Sequence, residues 1–152
     1  MDAKTDPRRE AVIFDVDGTL ADVASIRHYV AGEKKNFQKF HKAASLVHPH
    51  HEVVELAASL KRAGYVIIVV TSRKEEWRWT TTTWLRKWEI DFDHLHMRGQ
   101  QDGRRDVDVK RDILVGILRT HRVILAVDDN PAIIALWNEE HIPVVTWPGW
   151  SD

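Results

Sequence analysis

The side chains with the clearest chemical potential follow three short apolar segments of the chain. The segments are residues 11–14, 65–70 and 123–127, and each reads as a buried strand. The polar residues that follow them are, in order, Asp15 and Asp17, then Thr71, Ser72 and Arg73, then Asp128 and Asp129. In a parallel sheet the carboxyl ends of the strands share one edge, where α/β proteins bind their ligands. The spacing therefore predicts that these side chains meet in one cleft.

Clustered carboxylates at such an edge indicate a site for a divalent cation and a phosphate. Carboxylates that crowd together raise one another's pKa, and a hard cation removes this conflict. Mg²⁺ is the predicted cofactor, because it binds a few carboxylates together with water and a substrate phosphate. Asp15 is suited to attack phosphorus and become an aspartyl-phosphate, and Asp17 to protonate the leaving oxygen and then activate water. Thr71 and Lys110 provide a hydroxyl group and a positive charge for the transferring phosphoryl group.

Length and composition limit the classes of protein that fit this site. The 152 residues match one domain, and 43% hydrophobic with 30% charged residues is ordinary for a globular protein. Lys and Arg (22) nearly balance Asp and Glu (23), so the net charge of −1 provides no overall field for nucleic acid or membrane. No apolar stretch approaches the roughly 18 residues of a membrane span, and residues 1–10 lack a secretory signal core. We therefore expect no membrane contact, and because the chain contains no cysteine, we expect a cytoplasmic protein.

The elements that must position these residues alternate between strands and helices. Asn130 and Pro131 supply an N-cap and a first-turn proline for the last helix. Ser72 and Glu75 have the spacing of a capping box, which predicts that a helix begins directly after Ser72. The predicted strands are residues 11–14, 65–70, 95–97, 123–127 and 143–146. The alternation predicts an α/β fold with a mostly parallel sheet, and residues 1–152 are interpreted as a single domain.

The segment between the first two predicted strands, residues 24–50, is interpreted as a small helical insert. Its apolar positions have helical spacing, and Pro49 marks its end. An insert of this length is too short for a large cap domain. We therefore expect an accessible site that suits a large or terminal substrate.

Tryptophan is frequent in this chain, and its positions have two interpretations. Helical spacing after a buried strand favours core packing over base stacking for Trp77, Trp84 and Trp88. Trp147 and Trp150 lie on the cleft side of the last predicted strand. For these two residues, both core packing and stacking on a nucleobase stay open.

The polar clusters resemble the motifs of a known superfamily. Asp15-Val16-Asp17-Gly18-Thr19-Leu20 is similar to the first motif of haloacid dehalogenase-like (HAD) phosphohydrolases. Thr71, Lys110 and the pair Asp128-Asp129 resemble their second, third and fourth motifs, and the resemblance covers residues 11–147. It implies a Rossmannoid three-layer α/β/α fold with strand order 5-4-1-2-3. It also implies a Mg²⁺-dependent phosphatase that forms an aspartyl-phosphate.

The same resemblance implies a ligand set for the cation. In that family the metal is bound by the carboxylate of the nucleophile, here Asp15, and by the backbone carbonyl of the second motif aspartate, here Asp17. One aspartate of the fourth motif completes the protein ligands, and we favour Asp129 for this role. Asp128 is then expected in the outer shell or against Lys110. The remaining motif residues assigned to substrate binding are Gly18, Thr19 and Ser72.

A narrower resemblance concerns the substrate. Met97-Arg98, Asp102, Arg104, Asp106, Val109-Lys110, AVDDNP and Leu136-Trp137 look like the 3′-phosphatase domain of phage polynucleotide kinase-phosphatases. Arg27, Arg73 and Arg98 fall where that domain carries arginines for the substrate phosphate. The resemblance implies a polynucleotide 3′-phosphatase that acts on a phosphorylated nucleic-acid end. Since no G-x-x-x-x-G-K-[ST] motif occurs in this sequence, a kinase or a ligase is expected as a separate partner.

Other functions remain open at this stage. A small-nucleotide phosphatase, for 5′- or 3′-nucleotides, or a general acid phosphatase would use the same catalytic residues. A receiver-like signalling module also groups acidic residues, Thr and Lys around Mg²⁺, but without the D-x-D-G-T form of residues 15–19. A catalytically inactive HAD scaffold is disfavoured, because every expected catalytic residue is present.

Overall fold

The structure is a computed structural model, and it describes residues 5–148. Within this range one sheet contains five strands, all paired in parallel. They are β1 (Arg9–Phe14), β2 (Val66–Lys74), β3 (His94–Arg98), β4 (His121–Asp128) and β5 (Val144–Thr146). Their order, β3-β2-β1-β4-β5, is the implied order 5-4-1-2-3 followed from the opposite edge. The predicted α/β fold class is therefore confirmed.

Helices cover both faces of the sheet. In the described part of the chain they are α1 (Phe37–Ala44), α2 (His51–Arg62), α3 (Arg78–Lys87), α4 (Asp106–Leu118) and α5 (Pro131–Glu139). Two 3-10 turns, Arg27–Tyr29 and Glu75–Trp77, add short connections. None of these helices is long and apolar enough to cross a membrane.

The central strand β1 explains the three layers. Side chains alternate between the two faces of a strand, and β1 is buried on both. Val12 and Phe14 belong to the apolar cluster beneath α2, α3 and the insert. Ala11 and Ile13 belong to the opposite cluster, beneath α4 and α5. A strand that is apolar at every buried position is thus held between two helical layers, with its carboxyl end free to carry polar residues.

Strand β2 is longer than the sequence pattern indicates. It continues through Lys74, and the next helical turn begins at Glu75, so the capping box predicted at Ser72 is wrong. Lys74 pairs with Arg98 of β3 beyond an irregularity in the ladder. The Arg98 guanidinium also donates to the backbone carbonyl of Ser72 at 3.0 Å, which holds this segment extended. These contacts come from residues distant in sequence, and a local pattern does not contain them.

The insert contains the predicted short helix, α1. Asn36 caps it by accepting a hydrogen bond from the backbone N–H of Lys39. Phe40 and Ala44 of the apolar stripe are buried, whereas Phe37 is 56% exposed. The first turn of α1 therefore extends past the core and lies beside the carboxyl edge of the sheet.

Candidate active site

The predicted polar residues converge at the carboxyl edge of β1, β2 and β4. A cavity of about 500 Å³ opens there. Its lining includes Asp15, Asp17, Arg27, Thr71, Ser72, Lys110 and Asp129. Lys110 reaches it from the second turn of α4, and its ammonium group is buried with Asp15 and Asp128. The structure thus brings together side chains that are up to 114 positions apart, from Asp15 to Asp129.

A buried lysine holds the proposed nucleophile. The Lys110 ammonium donates to Asp15 Oδ1 at 2.8 Å and lies 3.5 Å from Asp128 Oδ2. These two carboxylates raise the pKa of Lys110 against the effect of its burial, so the lysine stays charged. Burial raises the pKa of Asp15 well above its ordinary value, and the charges of Asp128 and Asp129 add to this effect. Lys110 only partly opposes the rise, and a further cation beside Asp15 would favour its ionised form.

The two aspartates of the fourth motif have different surroundings. Asp128 Oδ1 accepts from the backbone N–H groups of Asp129 and Asn130 at 2.9 and 3.1 Å. Its Oδ2 accepts from Trp137 Nε1 at 3.3 Å. Asp129 Oδ1 accepts from the Thr19 hydroxyl at 3.0 Å, but among the described residues its buried Oδ2 has no hydrogen-bond partner. Both Asp128 oxygens therefore accept hydrogen bonds within the protein, whereas Asp129 has one oxygen that could accept another ligand.

These carboxylates fit a divalent cation. One oxygen from each of Asp15, Asp128 and Asp129 lies within 4.8 Å of the other two. Burial raises the pKa of Asp129, and the neighbouring charge of Asp128 raises it further. A hard cation with oxygen ligands would bind the buried oxygen that accepts no hydrogen bond and would reduce the repulsion between these carboxylates.

Asp17 is held by an arginine. Arg73 Nε and one of its terminal nitrogens donate to Asp17 Oδ2 and Oδ1 at 3.0 and 2.5 Å. The other terminal nitrogen donates to the buried Thr81 hydroxyl at 3.0 Å. Burial raises the pKa of Asp17, but the Arg73 guanidinium outweighs burial, and the pKa is lowered overall. This ion pair stabilises the ionised form of Asp17, the form that a general base requires.

Gly18 and Thr19 shape the space around Asp129. Gly18 has φ +85°, and a Cβ atom there would lie 2.0 Å from Asp129 Oδ2. Only glycine therefore permits both this backbone conformation and this close approach. The Thr19 hydroxyl also lies 3.4 Å from Asp15 Oδ2, so it bridges two carboxylates. In the structure both residues contact the acidic cluster, and their predicted contact with substrate stays a prediction.

Arg98 and Arg27 have different surroundings. The Arg98 guanidinium donates to the carbonyls of Ser72, Asp102 and Arg104 and to Asp106 Oδ1, at 2.5 to 3.0 Å. These bonds order residues 99–105 at the mouth of the cleft. Arg27, from the first 3-10 turn, places a terminal nitrogen 3.7 Å from Asp129 Oδ2. Direct phosphate contacts by Arg27, Arg73 and Arg98 stay predictions.

Three residues near the site were not assigned to it from the sequence. Thr81 supports Arg73, and its only signal is a hydroxyl group on the buried side of α3. His50 Nδ1 is 2.8 Å from the carbonyl of Thr19, although a histidine beside Pro49 is typical of a surface cluster. His41 of α1 faces the cleft near Asp17 and Arg73, where burial lowers its pKa to about 4. Trp150, a candidate for base stacking, lies outside the described residues.

The fold and the acidic cluster define a HAD-like phosphatase, a class of hydrolase. Residues 9–147 match the family described as the polynucleotide kinase PNKP phosphatase domain, and the chain belongs to this family. The family match favours the phosphatase over the receiver-like module considered above.

Solved structures agree with this assignment. One, described as "Structure of Pnkp1/Rnl/Hen1 complex", is 25% identical with a TM-score of 0.81, and the match covers 96% of this chain and 48% of that one. A second, described as "Structure of the Pnkp1/Rnl/Hen1 RNA repair complex", is 26% identical with a TM-score of 0.81, covering 95% and 44%. This chain thus spans about half the length of both. A class C acid phosphatase from Bacillus anthracis with tungstate bound shares the fold at 15% identity and a TM-score of 0.68, covering 97% and 70%.

Proposed function

We propose that this protein is a Mg²⁺-dependent phosphomonoesterase that removes the 3′-phosphate from a nucleic-acid end through an aspartyl-phosphate intermediate. The observation that carries the proposal is the buried Asp15 carboxylate, held by Lys110 among further carboxylates at the floor of an open cavity. A carboxylate in this setting is a nucleophile that faces the space where a phosphate enters.

In the first step an Asp15 oxygen forms a bond to phosphorus as the bond to the substrate oxygen breaks. The leaving oxygen takes a proton from Asp17 and departs as an alcohol. In the second step the ionised Asp17 removes a proton from water, and the water oxygen forms a bond to phosphorus as the bond between Asp15 and phosphorus breaks. Inorganic phosphate leaves, and Asp15 is restored. The Arg73 ion pair favours the form of Asp17 needed for this second step. Thr71 and Lys110 hold the oxygens of the transferring phosphoryl group.

The residues that would hold Mg²⁺ are Asp15, the backbone carbonyl of Asp17, and Asp129, with Asp128 behind them. When bound, the cation neutralises phosphate oxygens and thereby lets a carboxylate approach an anion. The choice of Asp129 over Asp128 is supported by Asp129 Oδ2, which accepts no hydrogen bond from the described residues, whereas both Asp128 oxygens already accept hydrogen bonds.

A nucleic-acid end as substrate is supported by the family and by the openness of the cleft. The short insert leaves the cavity accessible to a long chain. Arg27 lies at the cavity, where a guanidinium group suits phosphate oxygens. One of the similar structures is that of an RNA repair complex. By this similarity we propose that the protein works in nucleic-acid repair beside a separate kinase or ligase, and we expect it in the cytoplasm.

The test is release of inorganic phosphate, with Mg²⁺, from four substrates. These are a 3′-phosphorylated oligonucleotide, a 3′-mononucleotide, a 5′-mononucleotide and p-nitrophenyl phosphate. We expect the oligonucleotide to have the highest kcat/KM and Asp15→Asn to lose activity on all four substrates. An Asp91→Asn variant, altered at an exposed position away from the cleft, serves as the control. A preference for the mononucleotides would instead identify a small-nucleotide phosphatase.

A further inference from the structure

A wider cavity adjoins the catalytic cavity, between α1 and the segments that follow β2 and β3. It has a volume of about 670 Å³, and we call it the side groove. The residues that line it include Phe37, Phe40, His41, Ser72, Trp77 and Arg98. The two cavities share several lining residues, Asp17, Phe37 and Ser72 among them, so they are continuous. A substrate whose phosphate lies beside Asp15 is therefore also next to the side groove.

One wall of the side groove is aromatic. Phe40 meets the His41 ring edge-on at a centroid distance of 5.3 Å, and His41 lies 5.1 Å from the Trp77 ring. Phe37, which is 56% exposed, stands where the side groove meets the catalytic cavity. Exposed aromatic rings beside a phosphate site are surfaces on which nucleobases stack.

The charges around the side groove largely cancel. Asp17 pairs with Arg73, Arg98 pairs with Asp106, and Arg104 pairs with Asp102. The two other charged lining residues, Lys74 and Glu76, have opposite signs. A channel for successive backbone phosphates presents an excess of cations, which this lining lacks. The side groove therefore suits an uncharged aromatic group.

Two buried polar atoms belong to residues that line the side groove. Among the described residues, His41 Nδ1 and Ser72 Oγ have no hydrogen-bond partner. Buried polar atoms in native structures are nearly always paired, with protein, water or ligand. Burial lowers the pKa of His41 to about 4, so its ring is neutral at physiological pH and suits a neutral polar edge.

We propose that the side groove binds the base and sugar of the terminal nucleotide whose phosphate enters the catalytic cavity. Phe37 stacks on the base, while His41 Nδ1 and Ser72 Oγ form hydrogen bonds with the polar edges of the nucleoside. This assignment rests on the proposed function, which places the phosphate beside Asp15. It makes the groove the part of the site that recognises a nucleotide rather than any phosphate ester.

The test uses two 3′-phosphorylated oligonucleotides that differ only in the last residue, which has a base in one and is abasic in the other. We expect kcat/KM to be about tenfold or more higher for the base-bearing end, from the usual strength of base stacking. Phe37→Ala should remove most of this preference and leave the abasic substrate nearly unaffected. His41→Phe keeps a ring without its nitrogens and should reduce the ratio of base-bearing to abasic kcat/KM by about fivefold. The matched controls are Leu46→Ala and Trp79→Ala, both exposed and outside the groove.

Binding to the inactive Asp15→Asn variant separates this proposal from the proposed function. Fluorescence anisotropy with labelled oligonucleotides measures the affinity for both ends without turnover. A preference for the base-bearing end that is lost in Asp15→Asn/Phe37→Ala supports the groove, even if no 3′-phosphate is released. Equal affinity for both ends, or an equal loss on both in the Phe37 variant, overturns the groove assignment. Phosphate release from both ends at equal rates would do so as well, and it would leave the 3′-phosphatase activity standing.

Discussion

Two carboxylates two positions apart in the sequence have opposite pKa shifts because their neighbours differ. Asp15 is buried among other carboxylates, and its pKa is raised despite Lys110. Asp17 faces the Arg73 guanidinium, and its pKa is lowered despite burial. Pairs of titratable groups whose pKa values are pushed apart commonly divide the roles of a mechanism. In the proposed mechanism, the Arg73 ion pair favours the form of Asp17 that acts in the second step, while the ionised form of Asp15 is favoured by a neighbouring cation.

Replacing Asp17 by Asn should slow substrates according to their leaving group. An alkyl phosphate needs its leaving oxygen protonated, whereas p-nitrophenolate departs without help. We expect Asp17→Asn to lose at least about 100-fold in kcat/KM on an alkyl phosphate and clearly less on p-nitrophenyl phosphate. Steady-state kinetics on the two esters measures this difference. Equal losses on both would contradict Asp17 as the proton donor in a rate-limiting first step.

Gly18 allows a direct test of how tightly the acidic cluster is packed. Gly18→Ala should impair both Mg²⁺ binding and turnover, because the added Cβ would meet Asp129 Oδ2. Gly32→Ala is a matched control, since Gly32 also has a positive φ, +77°, but no atom within 4 Å of an added Cβ. Both variants should lose about 1 kcal/mol of unfolding free energy from backbone strain. Urea unfolding measures the strain that the two variants share, and isothermal titration with Mg²⁺ distinguishes them. Equal metal affinity in the two variants would contradict this packing.

At the scale of elements, the strand ends were predictable and their surroundings were not. The segments before Asp15, Thr71 and Asp128 are buried on both faces of the sheet. Each is therefore an uninterrupted run of apolar residues, which is easy to recognise in the sequence. The apolar stripe of α1 predicts a helix but does not show that Phe37 lies over the cleft. Trp77, expected in the core, lines the side groove because the 3-10 turn after β2 carries it there. Such placements depend on contacts between distant segments, which no local pattern contains.

The segment after β3 is held by one side chain, so Arg98→Lys should loosen it. Lysine has three donors on one nitrogen and cannot reproduce the four bonds that the guanidinium fork makes to Ser72, Asp102, Arg104 and Asp106. We expect faster hydrogen exchange in residues 99–105 and a loss of about 1 to 3 kcal/mol of unfolding free energy. Arg105→Lys, at an exposed position in the same segment, is the control.

Substrate contact and loop support by Arg98 give different results in that experiment. A side chain that only grips the substrate phosphate would lower turnover and leave hydrogen exchange in the free protein unchanged. A side chain that orders residues 99–105 changes exchange before any substrate is added. Unchanged exchange with reduced turnover would therefore contradict the supporting role and favour direct phosphate contact.

In the molecule as a whole, the acidic cluster that the proposed chemistry requires also opposes folding. The fold buries Asp15, Asp128 and Asp129 at the junction of two strands that both core clusters hold in place. Buried like charges destabilise a folded protein unless a counter-charge is present. Lys110 supplies one such charge. Stability and catalysis are thus expected to depend on the same cation.

Mg²⁺ should stabilise the folded protein, and more so as the pH rises. Without metal, the raised pKa of Asp15 and Asp129 makes the folded state bind protons more tightly than the unfolded chain does. Stability is therefore full below the ordinary carboxyl pKa and is lost as the pH rises through the raised values. Bound Mg²⁺ needs the ionised carboxylates, so protons compete with it less at higher pH, and at 100 times its Kd it adds about 2.7 kcal/mol.

Thermal unfolding with Mg²⁺ or EDTA, at about pH 5 and about pH 8, measures the gain. The gain in stability from Mg²⁺ should be larger at the higher pH. It should be small in Asp129→Asn, while Asp91→Asn should behave as the unaltered protein. A gain that is equal at both pH values, or that is retained in Asp129→Asn, would place the cation elsewhere.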